Sequence, residues 1–180
     1  VPLKSGNRTV SIYLMPPGLS DPKYRNPLHA IDLVRFRERS RTLTHVAAFT
    51  TADRVLASGG EPAVVNTVPV SAEMLRLATE GPILGRLFTD DEETRKERLI
   101  VLSYGAWQRR FGGDASIVGR SVQLDGDPYT IVGVMPRGFP PPFLAAELWT
   151  PLGITQSAPV NEARTYIVTI AQLADGSTPS

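Results

Sequence analysis

The sequence predicts a fold of the α+β class, in which strands and short helices follow each other without strict alternation. Three observations support this prediction. Hydrophobic residues make up 42% of the 180 residues, which is enough for a buried core. Asp125-Gly126 stands between two runs of strand-forming residues, as in a β-hairpin. Ser103 follows an apolar run and precedes a helical pattern that ends at Gly112, which indicates a capped helix.

The first part of the chain predicts four strands and one helix. Strand-forming residues over 8–14 stop at a Pro-Pro-Gly turn. Apolar residues then recur at helical spacing over 28–41, and arginines fill the last turns, where cations suit the helix dipole. Three more strand patterns follow, and Gly59-Gly60 between the last two indicates a hairpin or meander. These strands are predicted over 46–51, 54–58 and 63–70.

The rest of the chain combines short helices with short strands. Ser71 can cap a helix that runs through Leu77. Thr89 and Glu92 fit a capping box, in which the two residues at a helix start bond each other's backbone. The helix after Ser103 is predicted over 104–111. Extended segments are predicted over 83–88, 99–102, 121–124, 129–135, 147–151 and 164–173.

Composition excludes several classes of protein. Nineteen basic and 18 acidic residues give a net charge of +1, so there is no basic surplus for general nucleic-acid binding. The absence of cysteine excludes disulfide scaffolds, thiol nucleophiles and cysteine-based metal sites. The longest uncharged stretch, 148–161, contains two prolines and is shorter than the roughly 20 residues of a spanning helix. Because the sequence starts at Val1 without a signal peptide, we expect a trimmed fragment or a processed product.

The search for catalytic motifs points to a protein that is not an enzyme. Ser103 stands where a nucleophile elbow would lie, but Val101 replaces the first glycine of G-x-S-x-G, which favours a helix cap. His29 and His45 lack the spacing of a metal site, and the acidic run 90–93 fits a helix start better than a calcium loop. We therefore expect no catalytic, cofactor or metal site. A hydrolase that uses distant carboxylates remains an alternative.

Motif residues recur in a fixed order between residues 70 and 152. They begin with Val70-Ser71 and end with Leu148-Trp149. The residues that carry the pattern are Gly85, Arg86, Phe88, Ser103, Trp107, Arg110, Phe111, Gly119, Asp125, Gly126 and Trp149. In this order they resemble the MacB-like periplasmic core domain of ABC transporter permeases of the MacB/FtsX type, especially the large permeases common in acidobacteria.

The resemblance implies a position, a division into subdomains and a set of partners. A porter-like α/β subdomain is expected from residues 1–71 and 159–180, with its C-terminal part truncated, and a smaller α/β insert with the hairpin from 72–158. Such domains lie outside the cytoplasmic membrane, between the first two transmembrane helices of a permease. The implied function is to transmit ATPase-driven conformational change and to contact a substrate or partner protein. The implied partners are a cytoplasmic ATPase domain or subunit, a second permease copy or half, and a periplasmic adaptor.

A second interpretation is a free secreted or periplasmic binding module for a hydrophobic ligand or peptide. It rests on a proline-rich loop in which Phe139 and Phe143 are candidate partner contacts, although both rings can equally cover the hairpin. On the helix after Ser103, Trp107 and Phe111 lie four residues apart and are expected to anchor a core. Ion pairs are expected at Arg86, Arg109, Arg110 and Arg120.

Overall fold

The fold is mixed and dominated by strands, as the sequence predicts. A computed structural model describes residues 9–13, 21, 26–39, 43–78, 81–139, 146–154 and 166–173. The strands in these ranges are β1 (Thr9–Ile12), β2 (Leu28–His29), β3 (Leu43–Phe49), β4 (Ala52–Ala57), β5 (Ala63–Val70), β6 (Leu84–Gly85), β7 (Leu99–Leu102), β8 (Ser121–Leu124), β9 (Asp127–Val134), β10 (Leu148–Pro151) and β11 (Tyr166–Leu173). The helices are α1 (Ala30–Arg39), α2 (Ala72–Ala78), α3 (Asp90–Thr94) and α4 (Tyr104–Phe111), and a 3₁₀ turn follows at Ala115–Ile117.

The strands form one hydrogen-bonded sheet that closes on itself at one end. Its open end runs in the order β1, β11, β3, β5, with antiparallel pairing throughout. From β5 the pairing continues through β10, β7, β9, β8 and β4, and β4 pairs with β5 again. We call this closed set of β4, β5, β10, β7, β9 and β8 the six-stranded ring. The pairs β5–β10 and β7–β9 are parallel, and the other pairs in the ring are antiparallel.

Every strand of the six-stranded ring contributes to one apolar cluster, which α4 and the 3₁₀ turn complete. Its buried members are Leu56, Val65, Ile100, Leu102, Phe111, Ile117, Val122, Leu124, Ile131, Val134 and Leu148. A second cluster lies on the other face of four of these strands, β5, β7, β9 and β10, and packs against α2. β7 shows the alternation clearly, because Ile100 and Leu102 join the first cluster while Leu99 and Val101 join the second. A strand buried on both faces explains why 99–102 is a continuous apolar run.

The predicted hairpin is confirmed, and its turn also closes the ring. Leu124 pairs with Asp127, which leaves a two-residue turn whose φ angles are 53° at Asp125 and 86° at Gly126. Two positive φ angles are the mark of a type I′ turn. The Asp125 carboxylate accepts hydrogen bonds of 2.7 Å from the Val55 N–H and from Arg54 Nε, both on β4. The turn therefore binds β4, which is the strand that pairs with β8 to close the ring.

The three predicted helix starts are confirmed. Ser71 Oγ accepts from the Met74 N–H at the start of α2, and Ser103 Oγ accepts from the Ala106 N–H at 3.1 Å at the start of α4. Both directions of the capping box are present between Thr89 and Glu92. Ser103 is thus a helix cap, as the broken G-x-S-x-G pattern predicts.

Near the N-terminus the helix is shorter than predicted. The pattern predicts a helix from residue 28, but Leu28 and His29 form β2 and pair with Ile167 and Tyr166 of β11. Leu28 is fully buried, and His29 stacks on the Tyr166 ring at 4.7 Å. Tertiary pairing with a distant strand therefore overrides the local helical pattern, and α1 starts at Ala30.

The division into 1–71 with 159–180 and 72–158 stays a prediction. Strand pairing crosses these boundaries, since β4 and β5 precede residue 72 while their ring neighbours β8 and β10 follow it. In the described ranges no helix is long and apolar enough to cross a lipid bilayer.

Substitution of Gly85 is expected to destabilise the protein. At this glycine φ is +66°, and a Cβ would lie 2.1 Å from the Val132 carbonyl oxygen on the neighbouring strand. Gly85→Ala should lower the free energy of unfolding by about 2–4 kcal/mol, measured from urea denaturation. The matched control is Gly60→Ala in an open turn, where nothing lies within 4 Å of the added atom. A loss at Gly85 no larger than at Gly60 would contradict the close approach.

Gly126→Val isolates the conformational demand of the hairpin turn. A Cβ at Gly126 meets no atom within 4 Å, so the positive φ is the main expected cause of any loss. A β-branched residue in this region costs about 1–3 kcal/mol, and the melting temperature should fall accordingly. Gly126→Asn is the control, because asparagine tolerates left-handed backbone. Equal melting temperatures for the two variants would argue against the turn.

Candidate functional site

A cleft of about 390 Å³ lies between the start of α4, the turn after β9 and the start of β10. Ser103 begins one wall by capping α4, and Gly138, with φ at 78°, turns the chain on the opposite wall. Glu147 lies just before β10, and its backbone is fixed from both sides. Its N–H donates to the Asn66 carbonyl and its carbonyl accepts from the Ser103 N–H, each at 2.9 Å. The cleft is therefore built on strands of the six-stranded ring.

Two arginines of α4 face the Glu147 carboxylate at the cleft. Arg110 donates twice, from Nε at 2.6 Å and from Nη2 at 3.0 Å. Arg109 approaches the same carboxylate less closely, with 3.5 Å between Nη2 and Oε2. The hydrogen bonds from Arg110 lower the pKa of Glu147 against the opposing effect of burial. Glu147 is thus a carboxylate that Arg110 already neutralises.

Aromatic and glycine residues position the exposed cations of the cleft. The Arg137 guanidinium lies 4.9 Å from the Tyr104 ring centroid, which is a cation–π contact. Arg109 lies along α4 over Gly105, so close that a Cβ there would be 2.8 Å from its Nη1. The two cations therefore have defined places on the cleft wall although their heads reach solvent.

Two buried aromatic rings form the apolar floor of the cleft. Phe139 is 7% exposed and Trp149 is 1% exposed, and their rings meet edge to face at 5.2 Å. This burial gives Phe139 a packing role, and its role as a partner contact stays a prediction. Phe143 lies outside the described residues, so its predicted contact stays a prediction too.

Predicted motif residues at the start of α3 form a second charged cluster. Arg86 donates two hydrogen bonds to Glu92, of 2.8 Å from Nη1 and 2.6 Å from Nη2. Together with the Thr89 N–H, they lower the pKa of Glu92 from 4.5 to about 2. The neighbouring Glu93, 3% exposed, accepts from the Ala72 N–H at 2.8 Å and so ties α3 to the start of α2. Both acids therefore serve helix ends, as the sequence predicts for this run.

The other predicted residues have packing or turn positions. Phe88 and Phe111 are buried, and Trp107 packs on the core beside Phe111 while its Nε1 donates to the Asp114 carbonyl. Gly119 has φ at 89° and donates its N–H to the Ile131 carbonyl at 2.7 Å. The predicted ion pairs are confirmed for Arg86, Arg109 and Arg110. Arg120 instead acts at a distance on Asp114, whose pKa is lowered first by Ser116 and further by that charge.

The structure brings together some of the predicted residues and adds others. Ser103, Phe139 and Trp149 line the cleft, with Arg110 beside them on Glu147. Gly85, Arg86, Gly119, Asp125 and Gly126 are not among its lining residues. Sequence reasoning missed Tyr104, Arg137 and Glu147. One signal was available, since Glu147 is a lone charge between the uncharged stretches 138–146 and 148–161.

Among the described residues, no three side chains of histidine, cysteine, aspartate or glutamate are grouped to hold a metal ion. His45, which the sequence places at a strand entrance, lies within β3 and bonds Glu73 of α2 through Nδ1. Glu73 also binds Arg76, which reaches Asp90 at 2.9 Å. This chain of charges connects β3, α2 and α3.

Loss of stability in acid should depend on Glu92. Its pKa of about 2 in the folded protein is below the ordinary 4.5, so its contribution is present above about pH 5 and lost as the pH falls toward 2. The contribution is at most about 3 kcal/mol. Urea denaturation at pH 7 and pH 3 should show a smaller pH effect in Glu92→Gln than in wild type. Asp91→Asn, at an exposed acid of the same helix, is the control. Parallel pH curves for wild type and Glu92→Gln would contradict this assignment.

The fold is similar to solved structures of transporter domains. It matches the periplasmic region of MacB from Actinobacillus actinomycetemcomitans with a TM-score of 0.72 and 17% identity, over 96% of this chain and 78% of that chain. It also matches the extracellular domain of the noncanonic ABC-type transporter YknZ from Gram-positive bacteria, with a TM-score of 0.68 and 16% identity, over 93% of this chain and 84% of that chain. At such identities the likeness concerns the fold.

Sequence comparison gives the family directly. No curated protein sequence matches the chain at a significant level. The MacB-like periplasmic core domain family, in contrast, matches residues 2–180. That match covers nearly the whole sequence and agrees with the motif order between Val70 and Trp149. The chain therefore belongs to the MacB-like periplasmic core domain family.

Proposed function

We propose that this chain is the extracytoplasmic, non-catalytic domain of an ABC transporter permease. In this role it transmits conformational change driven by a cytoplasmic ATPase domain or subunit and contacts a substrate or partner protein. A second permease copy or half and a periplasmic adaptor are the other proposed partners. Family membership over residues 2–180 supports this function.

The observation that carries the proposal is the place where the chain enters and leaves the sheet. β1 and β11 are antiparallel neighbours, with Thr9 opposite Gln172 and Ile12 opposite Thr169. The first residues of β1 therefore lie beside the last residues of β11, at one end of the sheet. A domain inserted between two membrane helices needs both connections at one end, and this pairing is consistent with that requirement.

The sheet also offers a direct path for motion. Hydrogen bonds run from β1 and β11 through β3 to β5, which belongs to the six-stranded ring. Buried apolar residues line the inner face of every ring strand and also cover the other face of β5, β7, β9 and β10. Close-packed elements of this kind move as a body and deform little. A displacement at the two connections would therefore carry the ring, and the cleft built on it, as one unit.

A free binding module for a hydrophobic ligand has less support. It rests on Phe139 and Phe143 as partner contacts, and of the two alternatives left open for Phe139, contact or packing, its burial against Trp149 favours packing. The cleft beside it carries charged side chains on its walls, Arg109 and Arg137 among them.

The transmission role can be tested in the full-length permease with its ATPase in lipid nanodiscs. This chain contains no cysteine, so Ser11→Cys on β1 and Gln123→Cys on β8 place spin labels at two exposed positions within it. Double electron–electron resonance should show the same distance between these two labels with and without a non-hydrolysable ATP analogue. The distance between the Gln123→Cys labels of two permease copies should change.

Two controls complete that experiment. The single Ser11→Cys variant reports copy-to-copy distances close to the two connections, where the displacement should be smaller than at the ring. A membrane-impermeant maleimide should label Gln123→Cys in intact cells, as expected for an extracytoplasmic position. A nucleotide-independent copy-to-copy distance, or labelling only after lysis, would overturn the proposed function.

A further inference from the structure

We propose that the cleft between α4 and β10 is a docking site for an acidic segment of a partner protein. This inference rests on the proposed function, because it assigns partner contact to a particular surface and gives the partner's chemistry. Three observations support it: the excess of positive charge in the cleft, the contacts that fix Arg109 and Arg137, and the shape of the cleft.

The cleft has more guanidinium groups than carboxylates. Three arginines, Arg109, Arg110 and Arg137, stand at or beside it, and Glu147 is the carboxylate among its lining residues. Arg110 already forms a two-point pair with Glu147, which satisfies much of that carboxylate's bonding capacity. Arg109 shares the same group at 3.5 Å, and the described contact of Arg137 is the face of Tyr104. About two positive charges are left for a ligand.

The two surplus cations are already held in position before any ligand arrives. Arg137 is held against Tyr104, which in turn meets Trp107 edge to face at 5.6 Å. Arg109 lies in the space that Gly105 leaves free on α4, and its side chain is 66% exposed. A guanidinium group has five N–H donors in a fixed plane, which suits two-point binding of a carboxylate. Because both groups are held, little conformational entropy is lost when they bind.

The shape and lining favour a peptide over a small anion or a membrane. A volume of about 390 Å³ is that of a site for several side chains, much larger than a single phosphate needs. The pair of Arg110 with Glu147 occupies one wall of the cleft, so a ligand meets Arg109 and Arg137 as two separate cations, which suits a segment with two carboxylates better than one compact anion. A concave surface is also complementary in shape to an inserted segment and not to a flat bilayer. An extended segment with glutamate or aspartate and an apolar side chain over Tyr104 fits these features.

The 180-residue chain can be tested with a fluorescein-labelled peptide of four glutamates and two phenylalanines. Fluorescence anisotropy at about 50 mM salt should show saturable binding that weakens at about 150 mM salt. Arg109→Gln and Arg137→Gln should each weaken binding by about fivefold to tenfold. The controls are Arg95→Gln and Arg98→Gln, whose side chains are 63% and 52% exposed elsewhere on the surface. These should change the affinity by less than about twofold.

Gly105→Ala is the sharpest variant, because it separates binding from folding. Alanine favours a helix over glycine, so α4 should not lose stability. The added Cβ would nevertheless displace the Arg109 guanidinium, which lies 2.8 Å from its position. We expect an unchanged or higher melting temperature together with an affinity at least about threefold weaker. An affinity equal to wild type would contradict the role of Arg109.

Competition with other anions tests whether the cleft prefers a peptide. Inorganic phosphate at about 10 mM should leave most of the peptide bound, and vesicles of phosphatidylglycerol should not bind through Arg109 and Arg137. Four results would each overturn the proposal. Two concern the competitors, namely full displacement of the peptide by phosphate and vesicle binding that depends on the two arginines. The other two are equal losses of affinity in all four arginine variants and the absence of saturable peptide binding. The spin-label experiment uses no peptide, so the docking site and the transmission role can fail separately.

Discussion

Hydrogen bonds between Asp125 and β4 reinforce the closure of the six-stranded ring, on which the rest of the structure is built. β4 and β8 share two residue pairs, Leu56 with Leu124 and Ala57 with Gln123, so the strand pairing at this point is short. The Asp125 carboxylate extends it by accepting from Val55 and Arg54, and its backbone N–H donates to the Val55 carbonyl at 2.8 Å. These hydrogen bonds lower the pKa of Asp125, with Arg54 as the main cause. Together with the two residue pairs of β4 and β8, this connection closes the side of the ring that covers Leu56 and Leu124 of the first apolar cluster.

Closure has a consequence for the rest of the molecule. Once β4 meets β8, every strand of the ring has one face toward the enclosed cluster, and β5, β7, β9 and β10 turn their other face toward the second cluster and α2. The parallel neighbours β5 and β10 then hold Glu147 between Asn66 and Ser103, which sets the position of the cleft. The cleft is thus a product of ring geometry, and its charged residues come from segments that are distant in sequence.

Turn and cap motifs in the sequence predicted the helices and the hairpin well. The features that they did not predict depend on strand pairing between residues far apart in the sequence. Asp125-Gly126, Ser103 and Thr89 with Glu92 each gave the right element, because turn and cap chemistry acts over a few residues. The same signals could not show that β4 and β5 join the ring, since pairing with β8 and β10 spans much of the chain. Family resemblance supplied the fold, whereas Tyr104, Arg137 and Glu147 meet only through tertiary structure.

Composition conceals the local charge that distinguishes the cleft. A net charge of +1 argues against a generally basic surface, and several arginines are indeed paired with carboxylates, as in Arg54–Asp125, Arg86–Glu92 and Arg110–Glu147. An arginine that is paired with a carboxylate in this way is less available to bind an anionic ligand. Arg109 and Arg137 differ because one shares an already neutralised carboxylate and the other rests on an aromatic ring. A nearly neutral chain can therefore present a locally cationic docking site for an acidic segment, because net charge does not show which arginines are paired with carboxylates.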